Sequence, residues 1–348
     1  MATSISNNMA TPFPLRTIVI LAFDDVTASD VSSVADVFAI ATRFIRCAGS
    51  SGYHVVVASV EGAPIRTSSG LTFTTTAISS LDIDAIDTLV VPGGGPPQDP
   101  PVPVEVVDWL SREGHRPKRL CGICTGTFLL AEARLIGNRR VTTHWQSTDV
   151  LMKRYPEVSI EPDRVYLQDR GLWTSAGFTA GFDLALAILE EDQGYAAAME
   201  AAKSIVVFVK RAGEQAQLSA ALTTQSVADR QFSRLHAWIT EHLSENLTIE
   251  VLAEQVAMAP RTFTRRYAEQ MGSTPAKTIH SLRMEAALRA VVDSGFSLKQ
   301  IARNCGFGDE QNLRRHFVRH CGISPEQYRR NFALGELGSS YNESFPML

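Results

Sequence analysis

The chain has 348 residues of ordinary soluble composition, long enough for two domains, and its five cysteines, odd in number and without a repeating framework, suit free thiols in a reducing compartment. Its longest apolar runs, TIVILAF and SIVVFV, are too short to span a bilayer, and MATSISNNMATPFP lacks a basic segment ahead of an apolar one, so no membrane contact is expected and the chain should stay in the cytoplasm. The net charge of −4 hides an asymmetry, because residues 230–333 hold 15 Lys and Arg against 10 Asp and Glu while the rest holds 18 against 27; the basic part suits nucleic acid.

From residue 15 short apolar runs alternate with longer amphipathic ones: LRTIVILAF, VSSVADVFAIATRF, YHVVVASV, DTLVVPGGG and KRLCGIC. Continuous β-branched runs bounded by Gly and separated by helical stretches predict a mostly parallel sheet with helices on both faces over residues 15–205. Ligands of such sheets sit beyond the carboxyl ends of the strands. Asp30, Gly93, Gly94 and Cys124 all fall there.

The stretch CGICTG (121–126) supports two readings. Cys121 and Cys124 form a C-x-x-C pair suited to a thiol-disulfide switch, whereas Gly122, Cys124 and Gly126 fit a strained strand-to-helix elbow that presents a nucleophile. In the elbow the strand ends at Ile123, a helix begins near Thr125, and Cys121 points into the sheet packing. The helix end is expected to favour the Cys124 thiolate, and the amides of Thr125 and Gly94 to form an oxyanion hole. The glycines favour the elbow. His144, after the strand-like RRVTTH, reads equally as a pocket residue or a packed histidine, and Asp30 as a site acid or a helix-end residue.

VVPGGG, GICTGTFLLAEA, VTTHW and TSAGFTAGFDLALAILEE, in that order, resemble the ThiJ/PfpI branch of the class I glutamine amidotransferase-like superfamily over residues 15–205. The resemblance implies a flavodoxin-like α/β sandwich with the elbow cysteine in a pocket at or near a dimer interface. It places the nucleophile position at Cys124, the acidic partner at Asp30, the oxyanion glycine at Gly94 and a nearby histidine at His144; Gly93 and Thr125, read from the strand end and the helix start, complete the expected ligand site. Ser33-Val34 stands where the family often has Gly-Pro.

Residues 252–283 and 301–332 repeat one another: Phe263, Arg265, Tyr267, Gly272 and Pro275 recur as Leu313, Arg315, Phe317, Gly322 and Pro325. Thr248 is placed to cap the first helix of one unit, Ser297 and Gln300 to form a capping box on that of the other, and Asp309 to cap the helix that follows. Two helices joined by a tight turn, used twice, is a DNA-reading layout. The face opposite the buried aromatics carries Arg261, Thr262, Thr264 and Arg265 in the first unit, and Glu310, Gln311, Asn312, Arg314 and Arg315 in the second. Arg can read guanine and Asn or Gln adenine, although Arg265 and Arg315 serve a backbone role equally well.

The stretch IARNCGFGDEQNLRRHFVRHCGISPEQYRRNF, and residues 229–333 generally, resemble the AraC/XylS transcription regulators, with Ala259 standing where that family usually has a capping Ser. The two parts together are similar to the GlxA-type subfamily. The resemblance implies a linker over 206–228, an all-α DNA-binding domain over 229–333, and tails at 1–14 and 334–348. It further implies a bacterial, cytoplasmic, nucleoid-associated regulator, an activator that binds double-stranded DNA as a homodimer, senses a small-molecule effector and works with RNA polymerase. No cofactor, metal or enzymatic activity is expected. The alternatives are an amidase-, hydratase- or glyoxalase-like enzyme using Cys124, or a redox or electrophile sensor at that thiol.

Overall fold

The computed structural model describes residues 15–47, 51–207, 210–218, 230–293, 295–321 and 323–333. The tails at 1–14 and 334–348, residues 219–228 of the expected linker, and the repeat position Gly322 lie outside the described residues. The chain divides into two compact units, Met1–Gln215 and Ala216–Leu348.

In the first unit seven strands form one sheet: β1 (Arg16–Leu21), β2 (Tyr53–Ser59), β3 (Thr76–Ala77), β4 (Ile86–Val91), β5 (Arg119–Ile123), β6 (Tyr166–Asp169) and β7 (Leu172–Ser175). Their spatial order is β6-β7-β5-β4-β1-β2-β3, and every neighbouring pair is parallel except β6 and β7. That hairpin turns on Arg170 and Gly171, both with positive φ (48° and 78°), the backbone a two-residue connection requires. Ile18–Leu21 and Leu89–Val91 are wholly buried, as uninterrupted apolar strands must be when helices cover both faces.

Six helices follow the strands: α1 (Ala28–Cys47), α2 (Val104–Glu113), α3 (Gly126–Glu132), α4 (Thr148–Arg154), α5 (Thr179–Gln193) and α6 (Tyr195–Ser204). The helices α1, α5 and α6 pack on one another, and α2 packs on α3. The sheet is flavodoxin-like: the chain leaves β1 for β2 on one side and returns to β4 on the other. The loops after β1 and β4 meet at the carboxyl ends of these strands, where Thr27 donates to the Gly93 carbonyl (2.8 Å) and Gly95 to the Asp25 carbonyl (3.1 Å).

The first unit extends past residue 205, where the sequence places the start of the linker. Arg211 donates from its backbone N–H and its Nε to the two carboxylate oxygens of Asp183 (2.7 and 2.9 Å) and from Nη2 to Thr179 Oγ1 (2.9 Å). The carbonyl of Gln215 accepts from the Val165 amide. Residues 210–215 are thus a strap laid over the start of α5.

The second unit holds α7 (Arg230–Glu241), α8 (Ile249–Gln255), α9 (Pro260–Met271), α10 (Pro275–Asp293), α11 (Leu298–Asn304), α12 (Glu310–Cys321) and α13 (Pro325–Ala333). The pairs α8/α9 and α11/α12 are the two helix-turn-helix units, and α10 joins them. Phe232, Leu252, Phe263 and Tyr267 form the core of the first, with the Tyr267 hydroxyl 2.8 Å from Nε2 of His236. The local signals fold as written in the sequence. Thr248 accepts from the Val251 amide, Ser297 and Gln300 make the reciprocal capping box, and Asp309 Oδ1 accepts from the Asn312 amide at 2.8 Å. Ala259 offers α9 no side-chain cap, and Pro260 takes its first position.

Candidate functional site

Cys124 sits at φ 55°, a left-handed backbone that a non-glycine residue adopts only when its surroundings force it, between the end of β5 and the start of α3. Its N–H donates to the Ser175 carbonyl (2.8 Å), and its own carbonyl accepts from the hydroxyls of Thr143 (2.8 Å) and Thr127 (3.3 Å). A Cβ on Gly126 would lie 2.1 Å from the Val91 carbonyl oxygen, and one on Gly122 2.9 Å from Leu130. These contacts build the elbow. Cys121 lies inside β5, between Val90 and Trp173, fully buried, and both thiols are free.

Asp30, in the first turn of α1, is fully buried and does not spend its carboxylate on its own helix. Oδ1 accepts from the Phe178 amide (2.8 Å), Oδ2 accepts from the Gly93 amide (3.2 Å), and the Cys124 thiol completes the set. Burial raises its pKa to about 7, against the opposing pull of those donors.

The surroundings of Cys124 work against the thiolate expected from the helix end. Burial first, and the adjacent Asp30 charge second, push the Cys124 pKa well above its ordinary value, and the Thr125 amide offsets only part of this. Seven residues of α3 supply too little dipole against a thiol that is 3% exposed. Cys121 is likewise pushed up, to about 12, by burial.

The expected oxyanion hole is also altered. The Gly94 amide donates to Thr125 Oγ1 (2.9 Å), which returns a bond to the Gly94 carbonyl (3.1 Å). This donor is already engaged and does not face an incoming oxygen. His144 accepts from the Gln146 amide at Nδ1 (3.3 Å), capping the turn Trp145–Ser147, and burial lowers its pKa. Its ring lies 5.8 Å from that of Trp145 and 6.1 Å from that of Phe178, centroid to centroid. It is a helix-cap histidine whose ring neighbours that of Phe178, the residue whose amide binds Asp30.

Two site residues were missed by the sequence reading. Phe178 (φ 49°) puts its amide on Asp30 while its ring stays 50% exposed. At Gly177 (φ 85°) a Cβ would fall 2.2 Å from Cys124 Cβ, so the loop before α5 closes directly over the cysteine. Glycine at 177 was visible as a signal; the role of a backbone amide at 178 was not. The Ser33 departure is packed, with its hydroxyl in the space a Cβ on Gly181 would take.

On α9, Arg261 and Thr262 are exposed, Thr264 turns its hydroxyl back to the Pro260 carbonyl (2.9 Å), and Arg265 pairs with Glu269 at the surface. On α12 the chain engages more of the expected reading face. Glu310 accepts from Arg314 (2.7 Å), which also pairs with Glu326 of α13. Asn312 donates to the Phe307 carbonyl (2.9 Å) and accepts from Arg315 (2.8 Å). Gln311 remains exposed.

A flavodoxin-like domain with a cysteine elbow, carried on one chain with two helix-turn-helix units, defines a DNA-binding protein with an appended α/β domain. The chain belongs to the DJ-1/PfpI family, which it matches over residues 16–191, and residues 252–331 match a helix-turn-helix domain. It is 28% identical to the HTH-type transcriptional regulator CdhR of Pseudomonas aeruginosa, covering 80% of this chain and 82% of that protein. It is 27% identical to the HTH-type transcriptional regulator GlxA of Rhizobium meliloti, covering 84% and 91%. Among solved structures, the DNA-binding domain of the transcriptional factor AdpA in complex with a target DNA is 36% identical over 29% of this chain and 92% of that one, with a TM-score of 0.28. No helix among the described residues is long and apolar enough to cross a membrane, and no group of three His, Cys, Asp or Glu residues among them could hold a metal ion.

Proposed function

We propose that this DNA-binding transcription regulator takes its signal at the Cys124 site: a small metabolite binds beside Asp30, Cys124, Thr125 and His144, and the occupied first unit changes how the second meets its operator. One observation carries the reading: the cysteine site holds a buried thiol bonded to Asp30 and an engaged Gly94 amide, on the same chain as two helix-turn-helix units. Nucleophilic turnover needs a thiolate and donors aimed at a developing oxyanion. These groups are arranged to bind instead. Relatives named as transcriptional regulators, matched over most of their length, support the same conclusion.

The regulator acts as an activator, as a homodimer in the bacterial cytoplasm, on double-stranded DNA and beside RNA polymerase. Its two units reach successive major grooves about 34 Å apart. The effector works only by favouring one arrangement of the protein over another. The test is operator affinity at fixed salt for wild type and Cys124→Ser, with and without a panel of small nitrogenous metabolites, each assayed for turnover. A metabolite that shifts wild-type affinity unconsumed, with the shift lost in the variant, supports a sensor. Consumption by wild type alone would show an enzyme.

A further inference from the structure

Resting on the regulator reading above, we infer that residues 210–215 are the arm through which the Cys124 site governs the second unit: an occupant that draws Asp30 away from the Phe178 amide loosens this strap, and with it the chain that enters the second unit at Ala216. One short loop, residues 176–179, is held by the site on its inner side and by the strap at both of its ends.

On the inner side, Gly177 lies so close to Cys124 that a Cβ would fall 2.2 Å from the cysteine Cβ, and the Phe178 amide donates to Asp30 Oδ1 (2.8 Å). At one end the Ala176 amide donates to the Val165 carbonyl (3.0 Å), and the Val165 amide donates in turn to the carbonyl of Gln215 in the strap (3.1 Å). At the other end Thr179 Oγ1 accepts from Arg211 Nη2 (2.9 Å). The strap is seated beside these bonds. Lys210 pairs with Glu190 (2.5 Å) and Arg211 with Asp183, two carboxylates seven positions apart on one face of α5. Arg164 Nη1 donates to the Glu214 carbonyl (3.3 Å), and a Cβ on Gly213 would lie 2.5 Å from the Tyr166 carbonyl oxygen. Those contacts fall on α5 and on residues 164–166, the same two supports that carry the loop.

The loop also has a reason to move. Phe178 stands at φ 49° and ψ −123°, a backbone that a residue with a Cβ keeps only while its surroundings impose it. Both oxygens of Asp30 are engaged, one by Phe178 and the other by Gly93, so a newcomer that bonds this carboxylate must displace a donor. Gly93 is buried, and a Cβ there would meet Thr125 Oγ1 at 2.5 Å, whereas Phe178 is exposed on the strained loop. Phe178 is the donor that yields. Its relaxation shifts Ala176 and Thr179, the two residues through which the loop reaches the strap.

The experiment follows hydrogen exchange by mass spectrometry in the full chain for wild type, Asp30→Ala, Asp30→Asn, and the pair Arg211→Met with Asp183→Asn. Asp30→Ala removes the acceptor of the Phe178 amide and is expected to quicken exchange at Val165 and across residues 211–215 roughly tenfold, as the loss of one or two hydrogen bonds would. Asp30→Asn keeps a side-chain oxygen for that amide and should leave the strap as in wild type. The double variant works from the other end. It frees the strap without altering Asp30 or Cys124, and iodoacetamide at pH 8 should label Cys124 at least about fivefold faster, because coupling between two sites is reciprocal. Its affinity for a duplex that the wild type selects from a random library should change by at least about fivefold as well.

Strap exchange in Asp30→Ala that matches wild type, or an equal quickening in Asp30→Asn, would overturn the route through Phe178. So would an unchanged Cys124 rate in the double variant, which decides even if Asp30→Ala fails to fold. Unchanged duplex affinity in the double variant would overturn the strap's hold on the second unit, and each of these results leaves the regulator reading intact. A wild type that selects no duplex at all would overturn the regulator reading itself.

Discussion

The carboxylate of Asp30 and the backbone amide of Phe178, 148 residues apart in the chain, are joined by a 2.8 Å hydrogen bond that fastens the first turn of α1 to the entry of α5 directly beside Cys124. The acid is buried, and its pKa in the folded chain is about 7 against 3.8 when free, so the native state holds a proton that the unfolded chain releases. The sign follows. Its stabilising effect is complete below about pH 4, falls as pH rises through 7, and is flat beyond. Thermal unfolding of wild type and Asp30→Asn between pH 4 and 8 should show a wild-type decline that the variant lacks; parallel profiles would refute it.

The same charge acts on the thiol. Asp30 is the second cause, after burial, of the raised Cys124 pKa, so removing its charge should lower that pKa. Asp30→Asn is expected to make Cys124 alkylate with iodoacetamide faster than in wild type at pH 8, while Cys121, buried in β5, stays unreactive in both. Peptide mapping of the labelled protein separates the two sites. An unchanged or slower Cys124 rate would remove Asp30 from the account.

Gly177 leaves no room over the cysteine. Alanine there meets both a left-handed backbone (φ 85°) and an overlap with Cys124 Cβ at 2.2 Å. The expected loss is at least about 2 kcal/mol. Gly137 is the control: φ is 60° with nothing within 4 Å, so Gly137→Ala should cost only about 1 kcal/mol, the backbone penalty alone. Urea denaturation of the two variants decides, and equal losses would mean that the loop over Cys124 yields easily.

What the sequence disclosed was local. Thr248, Ser297 with Gln300, and Asp309 bond to amides three residues on, so their spacing is their structure. Uninterrupted apolar strands and the glycines of CGICTG likewise state their surroundings. The hidden part depends on distant partners or on burial. Gly93 and Phe178 reach Asp30 across 63 and 148 residues, and nothing in their side chains announces an amide donor. A thiol at a helix end reads as acidic until the closing loop shuts out water. Asn312 and Arg314 stand on the expected reading face, and nothing in the pattern there announces their bonds to the Phe307 carbonyl and to Glu326.

The strap over α5 gives a prediction about the boundary between the units. Asp183 is 4% exposed and carries its charge against Arg211, which is 26% exposed. Its pKa is raised by burial even so, which makes an unpaired Asp183 costly. Arg211→Ala should destabilise the first unit by roughly 3 kcal/mol, the low end for a broken buried pair because Arg211 is partly solvated. Arg211→Met with Asp183→Asn should lie closer to wild type, because it removes the buried charge and keeps an acceptor for the residue 211 amide. Hydrogen exchange across residues 210–215 should quicken in Arg211→Ala before the sheet is affected. If the single and double variants lose equal stability, the strap is held by the backbone bonds of Gln215 and Glu214 and not by the ion pair.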